Sequence, residues 1–330
     1  MIHRNNFLVL VIVLLSATIP VDAQKVSKAK HIVDSLLTKR YLRTNFDTNY
    51  ISRPKTKWAL TGRINMSGAK INTEGQYDGQ HYETELEADY KTTVSVGVSY
   101  LGLSLNLSLN PAKLLGKYHD YEVGFRSYGK RFGFDITYQD ARNFNGWQKI
   151  DGTKQDISTS GDMLRLQTLN LNAYYVFNSR RFSYPAAMAH SYIQRRSAGS
   201  FLLAASGHVQ DGKVKDEKES IDLKMTNIGI GAGYGYNFVP GHGWLLHISS
   251  LPTLIVYTHS SLKVDGSKIP LHYHFPEVII TGRGAIVKQI GSNKFAGFSI
   301  IGNITSIGKR DNLFISNQKW LARLYFGFRL

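Results

Sequence analysis

The sequence predicts an all-β protein: a closed antiparallel transmembrane β-barrel of about twelve strands, preceded by a short N-terminal amphipathic helix. Three observations carry this. From Lys57 onward, apolar and polar residues alternate with a period of two in one segment after another. Many of these segments exceed the usual ~5–6 residues of a strand and match the ~9–11 of a tilted membrane-spanning one. Connections alternate between tight turns and longer polar loops, the pattern of bacterial barrels with short periplasmic turns.

The elements follow in chain order. Residues 1–23 read as a signal peptide, with Arg4 ahead of the apolar run Phe7 to Leu15 and small residues at Val21 and Ala23, which places cleavage near Ala23. A retained anchor is the other reading, but the run falls short of the ~20 residues a span needs. Residues 24–56 form a periplasmic lead-in. There Val26, Ala29, Val33, Leu36 and Leu37 fall near helical spacing among lysines, as a plug, a membrane foot or a cover for the rim. Residues 57–330 form the barrel, with strands expected at 57–67, 82–98, 102–109, 119–127, 131–141, 163–177, 199–208, 225–238, 244–257, 273–289, 295–307 and 315–330. Tight turns fall near 99–101, 128–130, 239–243 and 290–294, and long polar loops near 68–81, 110–118, 142–162, 209–224 and 258–272. The connection 178–198 is long where the rule wants a short one, and 308–314 is brief where it wants a long one.

A soluble β-sandwich shares the alternation. Segment length and aromatic residues near segment ends (Trp58, Tyr82, Tyr100, Tyr128, Tyr138, Trp244, Tyr257, Trp320) favour the membrane barrel, whose interfaces carry aromatic girdles. The alternating aromatics of the last strand are a signal for barrel-assembly machinery, though the chain ends on Leu330. With no cysteine, disulfide scaffolds, thiolate metal sites and cysteine nucleophiles are excluded. The net charge of +16 concentrates in two periplasmic-side stretches, 24–57 with +7 and 179–196 with +4. Such a basic rim suits outer-membrane lipids and lipopolysaccharide as partners, and no nucleic acid is expected.

Three blocks resemble a known family: Phe46-Asp47-Thr48-Asn49-Tyr50-Ile51 with Pro54, Tyr175-Val176-Phe177-Asn178 running into Arg181-Phe182-Ser183-Tyr184-Pro185-Ala186-Ala187, and Gln194-Arg195-Arg196-Ser197-Ala198-Gly199-Ser200-Phe201. They are similar to the family called domain of unknown function 4421, found in the Bacteroidota. The resemblance implies one outer-membrane barrel in a Gram-negative envelope. It supplies no catalytic residue and no ligand.

Candidate chemistry is sparse. Glu83, Glu85, Glu87 and Asp89 form an acidic ladder expected to face the lumen and pair with inward arginines such as Arg63, Arg126, Arg165, Arg283 and Arg323. His247 and Ser249, one residue apart, share a strand face and are the candidate catalytic pair; their spacing also occurs in a twelve-stranded outer-membrane phospholipase, but the sequence names no third member. His272 and His274 lack a third ligand, so no metal site is expected, and no cofactor fingerprint appears. Gly229, Gly231, Gly233 and Gly235 strip one face of a strand, either for curvature or as a contact for the 26–38 helix acting as a plug. The function expected is a narrow pore, transporter or envelope-interaction scaffold rather than an enzyme. The alternative is a membrane-embedded hydrolase of lipid or lipopolysaccharide.

Overall fold

The computed structural model describes residues 45–330 except 78, 101–102, 110–120, 160–162, 216–219, 270–275 and 310–312, together with Ser35, Thr38 and Lys39. The expected helix at 26–38 and the pair His272 and His274 therefore lie outside the described residues, isolated helical positions apart. Residues 1–45 and 46–330 are separate units, and the second carries the sheet.

Its first elements are β1 (Ile51–Ser52), β2 (Trp58–Tyr77), β3 (Gln80–Ala88), β4 (Lys91–Tyr100), β5 (Leu103–Leu109) and β6 (Tyr121–Tyr128). There follow β7 (Phe132–Ala141), β8 (Phe144–Ile150), β9 (Thr153–Thr159), β10 (Leu164–Val176), the one-turn helix α1 (Tyr184–Met188) and β11 (Ile193–Gln194). The rest are β12 (Ala198–Lys215), β13 (Ser220–Gly241), β14 (Trp244–Val264), β15 (Ser267–Ile269), β16 (Val278–Ile290), β17 (Lys294–Lys309) and β18 (Leu313–Arg329).

One antiparallel ladder runs β5-β4-β2-β18-β17-β16-β14-β13-β12-β10-β7-β6. Eleven of these strands are ones expected from alternation, with shifted ends, and the twelfth, β4, is only the second half of the strand expected at 82–98. The last strand pairs with the first long one, from Leu313↔Gly75 to Arg329↔Ala59. The expected closed barrel is not seen: among the described residues no ladder joins β5 to β6, and residues 110–120 between them are not described.

The faces are inverted relative to a soluble protein. On β14, Leu245, His247, Ser249, Leu251, Thr253 and Ile255 are buried, while Leu246, Ile248, Leu254 and Val256 point out. His247 is 5% exposed and its neighbour Ile248 69%. On β2, Thr61, Asn65 and Ser67 are inside, and Leu60, Ile64 and Met66 outside. Water would drive the opposite choice, so the outer surface is shaped for an apolar solvent. Strands remote in the ladder meet across the interior through polar groups: Thr281 donates to Asn172 at 3.0 Å, and Asn317 to Gln210 at 3.3 Å.

Several segments differ from the sequence reading. The strand expected at 82–98 breaks at Asp89-Tyr90 into β3 and β4. The loops expected at 68–81 and 142–162 hold strands instead: β2 continues past β4 to pair with β3, and the β8–β9 hairpin over Phe144–Ile150 and Thr153–Thr159 extends that sheet. Likewise β12 and β13 pair up to Lys215↔Ser220, and β14 runs to Val264. Polar and glycine-containing runs such as Asn72 to Gln76 interrupt the alternation there, so hydropathy reads loops where backbone hydrogen bonding makes strands, although Ala69, Ala88 and Phe144 pack into a small buried cluster. The connection 178–197 does not hang outside the sheet. It folds inward, and Phe182, Tyr184, Ala186 and Ala187 are fully buried.

Candidate functional site

The interior site is built on segment 178–197. Asn178 anchors its start, its backbone N–H donating to Ser200 Oγ and its side chain to the Gly199 carbonyl, both at 2.9 Å. Ser183 caps α1 by accepting from the Ala186 N–H at 3.2 Å, and Pro185 sits in the first turn, where its missing N–H costs nothing. His190 turns the chain at φ 58°. Gln194 closes the segment by accepting from the Ser183 N–H at 3.0 Å and donating to the Arg181 and Arg196 carbonyls. The lead-in from Phe46 docks on this stopper: β1 pairs with β11, and the Asp47 N–H donates to the Arg180 carbonyl.

Aromatic stacking seats the segment. The Tyr184 ring lies 4.6 Å from Tyr174 and 6.2 Å from Tyr128, with Phe182 edge-on at 5.6 Å. A hydrogen-bonded relay then joins it to the wall. Asn237 Nδ2 donates to the Ser183 carbonyl at 3.0 Å, which turns Asn237 Oδ1 toward His247 Nδ1 at 2.7 Å. An acceptor there fixes the proton on Nδ1 and leaves Nε2 to accept from the Ser249 hydroxyl at 3.1 Å. The Tyr184 hydroxyl completes the chain by donating to Ser249 Oγ at 2.5 Å.

Beside the relay, Arg283 forms a buried ion pair with Asp135, their side chains 0% and 6% exposed. Arg283 is also the cross-strand partner of Ser249. Arg126 donates to Thr137 Oγ1 at 3.3 Å and lies 4.0 Å from Asp135, while Arg63, Arg126 and Arg323 gather close enough to feel one another's charge. Burial, reinforced by Arg63, Arg329 and Arg323, holds the His190 imidazole well below its usual pKa. In the turn after β6, burial and the cations Arg53, Arg131 and Arg180 push Lys130 down to about 8.

The acidic ladder is elsewhere. Glu83, Glu85, Glu87 and Asp89 lie along and just beyond β3, in the polar extension, and their partners are not the expected arginines. Lys70 lies 2.8 Å from Glu85 and 3.5 Å from Glu87, Lys149 reaches Glu83 at 3.1 Å, and Asn145 donates to Asp89. Lys149 lowers the Glu83 pKa, and Glu85 raises that of Lys70. Arg165 pairs with Asp140 at 2.6 Å.

The glycine strip faces inward. A Cβ on Gly231 or Gly233 would strike the Pro252 or Ser250 carbonyl of β14, and one on Gly235 would meet Phe182 at 3.0 Å. Close coiling of β13 on β14 and the stopper's Phe182 account for these glycines. Asn237, Tyr184 and Asp135 are the site residues that the sequence reading missed. Asn237 was within reach, because counting back across the 239–243 turn places it opposite His247. Among the described residues, no group of three His, Asp or Glu is placed to hold a metal ion.

The model of the domain of unknown function DUF4421 matches residues 45–330. The chain belongs to the DUF4421 family. The stopper and its seat carry two of the blocks that first resembled that family. No curated protein matches this DUF4421 chain. Among solved structures it is similar to the outer membrane protease OmpT of Escherichia coli, with 8% identity, a TM-score of 0.44, and coverage of 87% of this chain and 100% of that one. It is also similar to the outer membrane protein OprG of Pseudomonas aeruginosa (8% identity, TM-score 0.28, 86% and 98% covered). A third is the toluene transporter TodX of P. putida (8%, 0.26, 83% and 90%).

Proposed function

We propose that this chain is a Gram-negative outer-membrane barrel of twelve strands that closes between β5 and β6 and works as a narrow pore or transporter, gated by the segment 178–197. The observation that carries the reading is the inverted alternation: apolar side chains outside, and Thr61, Asn65, His247, Ser249, Thr253 and Arg283 inside. A sheet so made is at home only with hydrocarbon around it and polar contents within. A signal peptide cut near Ala23 would deliver the chain across the inner membrane. The arginines 180, 181, 195 and 196 would then sit at the periplasmic rim, beside lipid headgroups.

Twelve strands fall between barrels that side chains fill and those that hold a water channel. The stopper occupies that intermediate space, so the resting state conducts little. In planar bilayers the refolded chain should show small, infrequent openings, and a variant with 182–192 replaced by a Gly/Ser linker should conduct several-fold more. Equal conductance from two heat-modifiable, folded proteins would remove the gate. Recovery of the native chain as a soluble periplasmic protein would remove the barrel.

A further inference from the structure

We propose that the inner wall carries a hydrolytic centre for solute-sized carboxylic esters, with Ser249 as nucleophile, His247 as base and Arg283 as oxyanion donor, held inactive by the Tyr184 hydroxyl. The geometry has the required polarity at every link. The Nδ1 proton of His247 is committed to Asn237 at 2.7 Å, and Nε2 faces the Ser249 hydroxyl at 3.1 Å as an acceptor. A nucleophile, its base and an orienting group in that order define serine-hydrolase chemistry whatever the fold. Asn237 acts through His247 and is a positioning residue.

The fourth component is Arg283. It stands opposite Ser249 in the β14–β16 register, and Asp135 holds one of its terminal nitrogens. Its Nε and Nη1 are buried and make no hydrogen bond, the guanidinium lying 5.8 and 5.9 Å from the Tyr174 and Tyr184 rings. Buried donors of a cation rarely go unused, and donors next to a nucleophile suit the oxygen of a tetrahedral intermediate. The Tyr184 hydroxyl, 2.5 Å from Ser249 Oγ, stands where a substrate carbonyl would have to come. Asn237, His247, Ser249 and Arg283 all belong to the wall, so withdrawal of the stopper leaves them in register.

In the reaction, Ser249 Oγ bonds to the ester carbonyl carbon as its proton passes to His247 Nε2. The oxyanion forms beside Arg283 and collapses, the C–O bond to the alcohol breaks, and that alcohol leaves with the proton from Nε2. Water then attacks the acyl-serine with His247 again as base, releasing the carboxylic acid and restoring the serine. The orientation of the site selects the substrate. Ser249 and His247 face the interior while Ile248 between them faces out, so a soluble ester can reach the serine and a bilayer lipid cannot.

The test is covalent labelling of the full, refolded chain by a fluorophosphonate probe, with the adduct mapped by peptide mass spectrometry. Tyr184→Ala should label on Ser249 and hydrolyse p-nitrophenyl butyrate, and the wild-type chain should label on the same serine about tenfold more slowly or slower, as the stopper opens. In the Tyr184→Ala background, Ser249→Ala should abolish both signals and His247→Ala should lower kcat by about a hundredfold or more. Asn237→Ala should lower kcat with KM unchanged, which a general loosening of the wall would not do. Should Tyr184→Ala fail to fold, prolonged labelling of the wild-type chain decides. No adduct on Ser249 in any folded chain, labelling indifferent to His247, or fatty-acid release from phosphatidylcholine vesicles in place of ester turnover would each overturn the proposal.

Discussion

The molecule holds its carboxylates in two contrasting ways. In the polar extension, Glu85 and Lys70 meet at 2.8 Å with about a third of each side chain in water (32% and 30%). In the interior, Asp135 and Arg283 meet with 6% and 0% exposed. Similar chemistry has different consequences in the two places. Water already solvates the first pair, so their attraction adds little. The second pair has lost its water, and each partner is the other's main compensation. The extension is held by its backbone ladder and a small apolar cluster, which tolerate the loss of a surface charge, whereas the interior depends on a buried charge pair, which does not.

The largest expected effect follows from leaving Arg283 buried and alone. Asp135→Ala should cost about 3–5 kcal/mol, read as a fall in the urea midpoint of refolding into lipid. The double variant Asp135→Ala with Arg283→Met should recover much of the loss, and if it does not, the pair is no isolated unit. Next comes the outer face. Ile248→Arg, four residues into β14, should cost about 2–4 kcal/mol near the bilayer midplane. A soluble sheet would show almost no cost for the same change at so exposed a position.

A smaller, pH-dependent effect belongs to His190. Its folded pKa is depressed by burial and by Arg63, Arg329 and Arg323, so the folded state binds fewer protons than the unfolded one. The stability it contributes is full above about 6.5, the ordinary histidine value, and declines as the pH falls below it. Acidification should therefore raise the opening frequency. His190→Asn, which tolerates the positive φ, should flatten that dependence. The smallest effect is Lys70→Met, below about 1 kcal/mol and hidden by moderate salt. A loss comparable to that of Asp135→Ala would mean that the extension is not the tolerant region described here.

The sequence was legible wherever one period governed a segment. Trp58 to Met66, Ile228 to Phe238 and Trp320 to Leu330 each announced a strand and its apolar face, and the tight turn expected at 239–243 marks the break between β13 and β14, which the structure narrows to His242 and Gly243. Segments such as Asn72 to Gln76, polar on both faces, gave no hydropathic period, and their pairing could not be read. The stopper was hidden for another reason. Phe182-Ser183-Tyr184-Pro185-Ala186-Ala187 is too short for a helical repeat, and a lone buried turn leaves only a capping serine and a proline as its trace. His247 and Ser249 were visible as a pair. Asn237 required the register, a property of two strands and a turn taken together.

The pairing of β18 with β2 bears on how the protein is made. Partners such as Leu313 and Gly75 lie 238 residues apart in sequence, and Arg323 and Asn65 258 apart, although they are neighbours in space. Contacts between such distant parts of a chain slow folding, because the entropy of closing so long a loop is lost before the ladder returns any enthalpy. Until β18 has been synthesised, β2 presents an unpaired edge with an apolar face to whatever surrounds it, a template for misassociation. A nascent chain of this design cannot complete itself from its N-terminus onward. The ladder between β18 and β2 must form after both strands exist, and it fixes the register of the earlier strand by the later one.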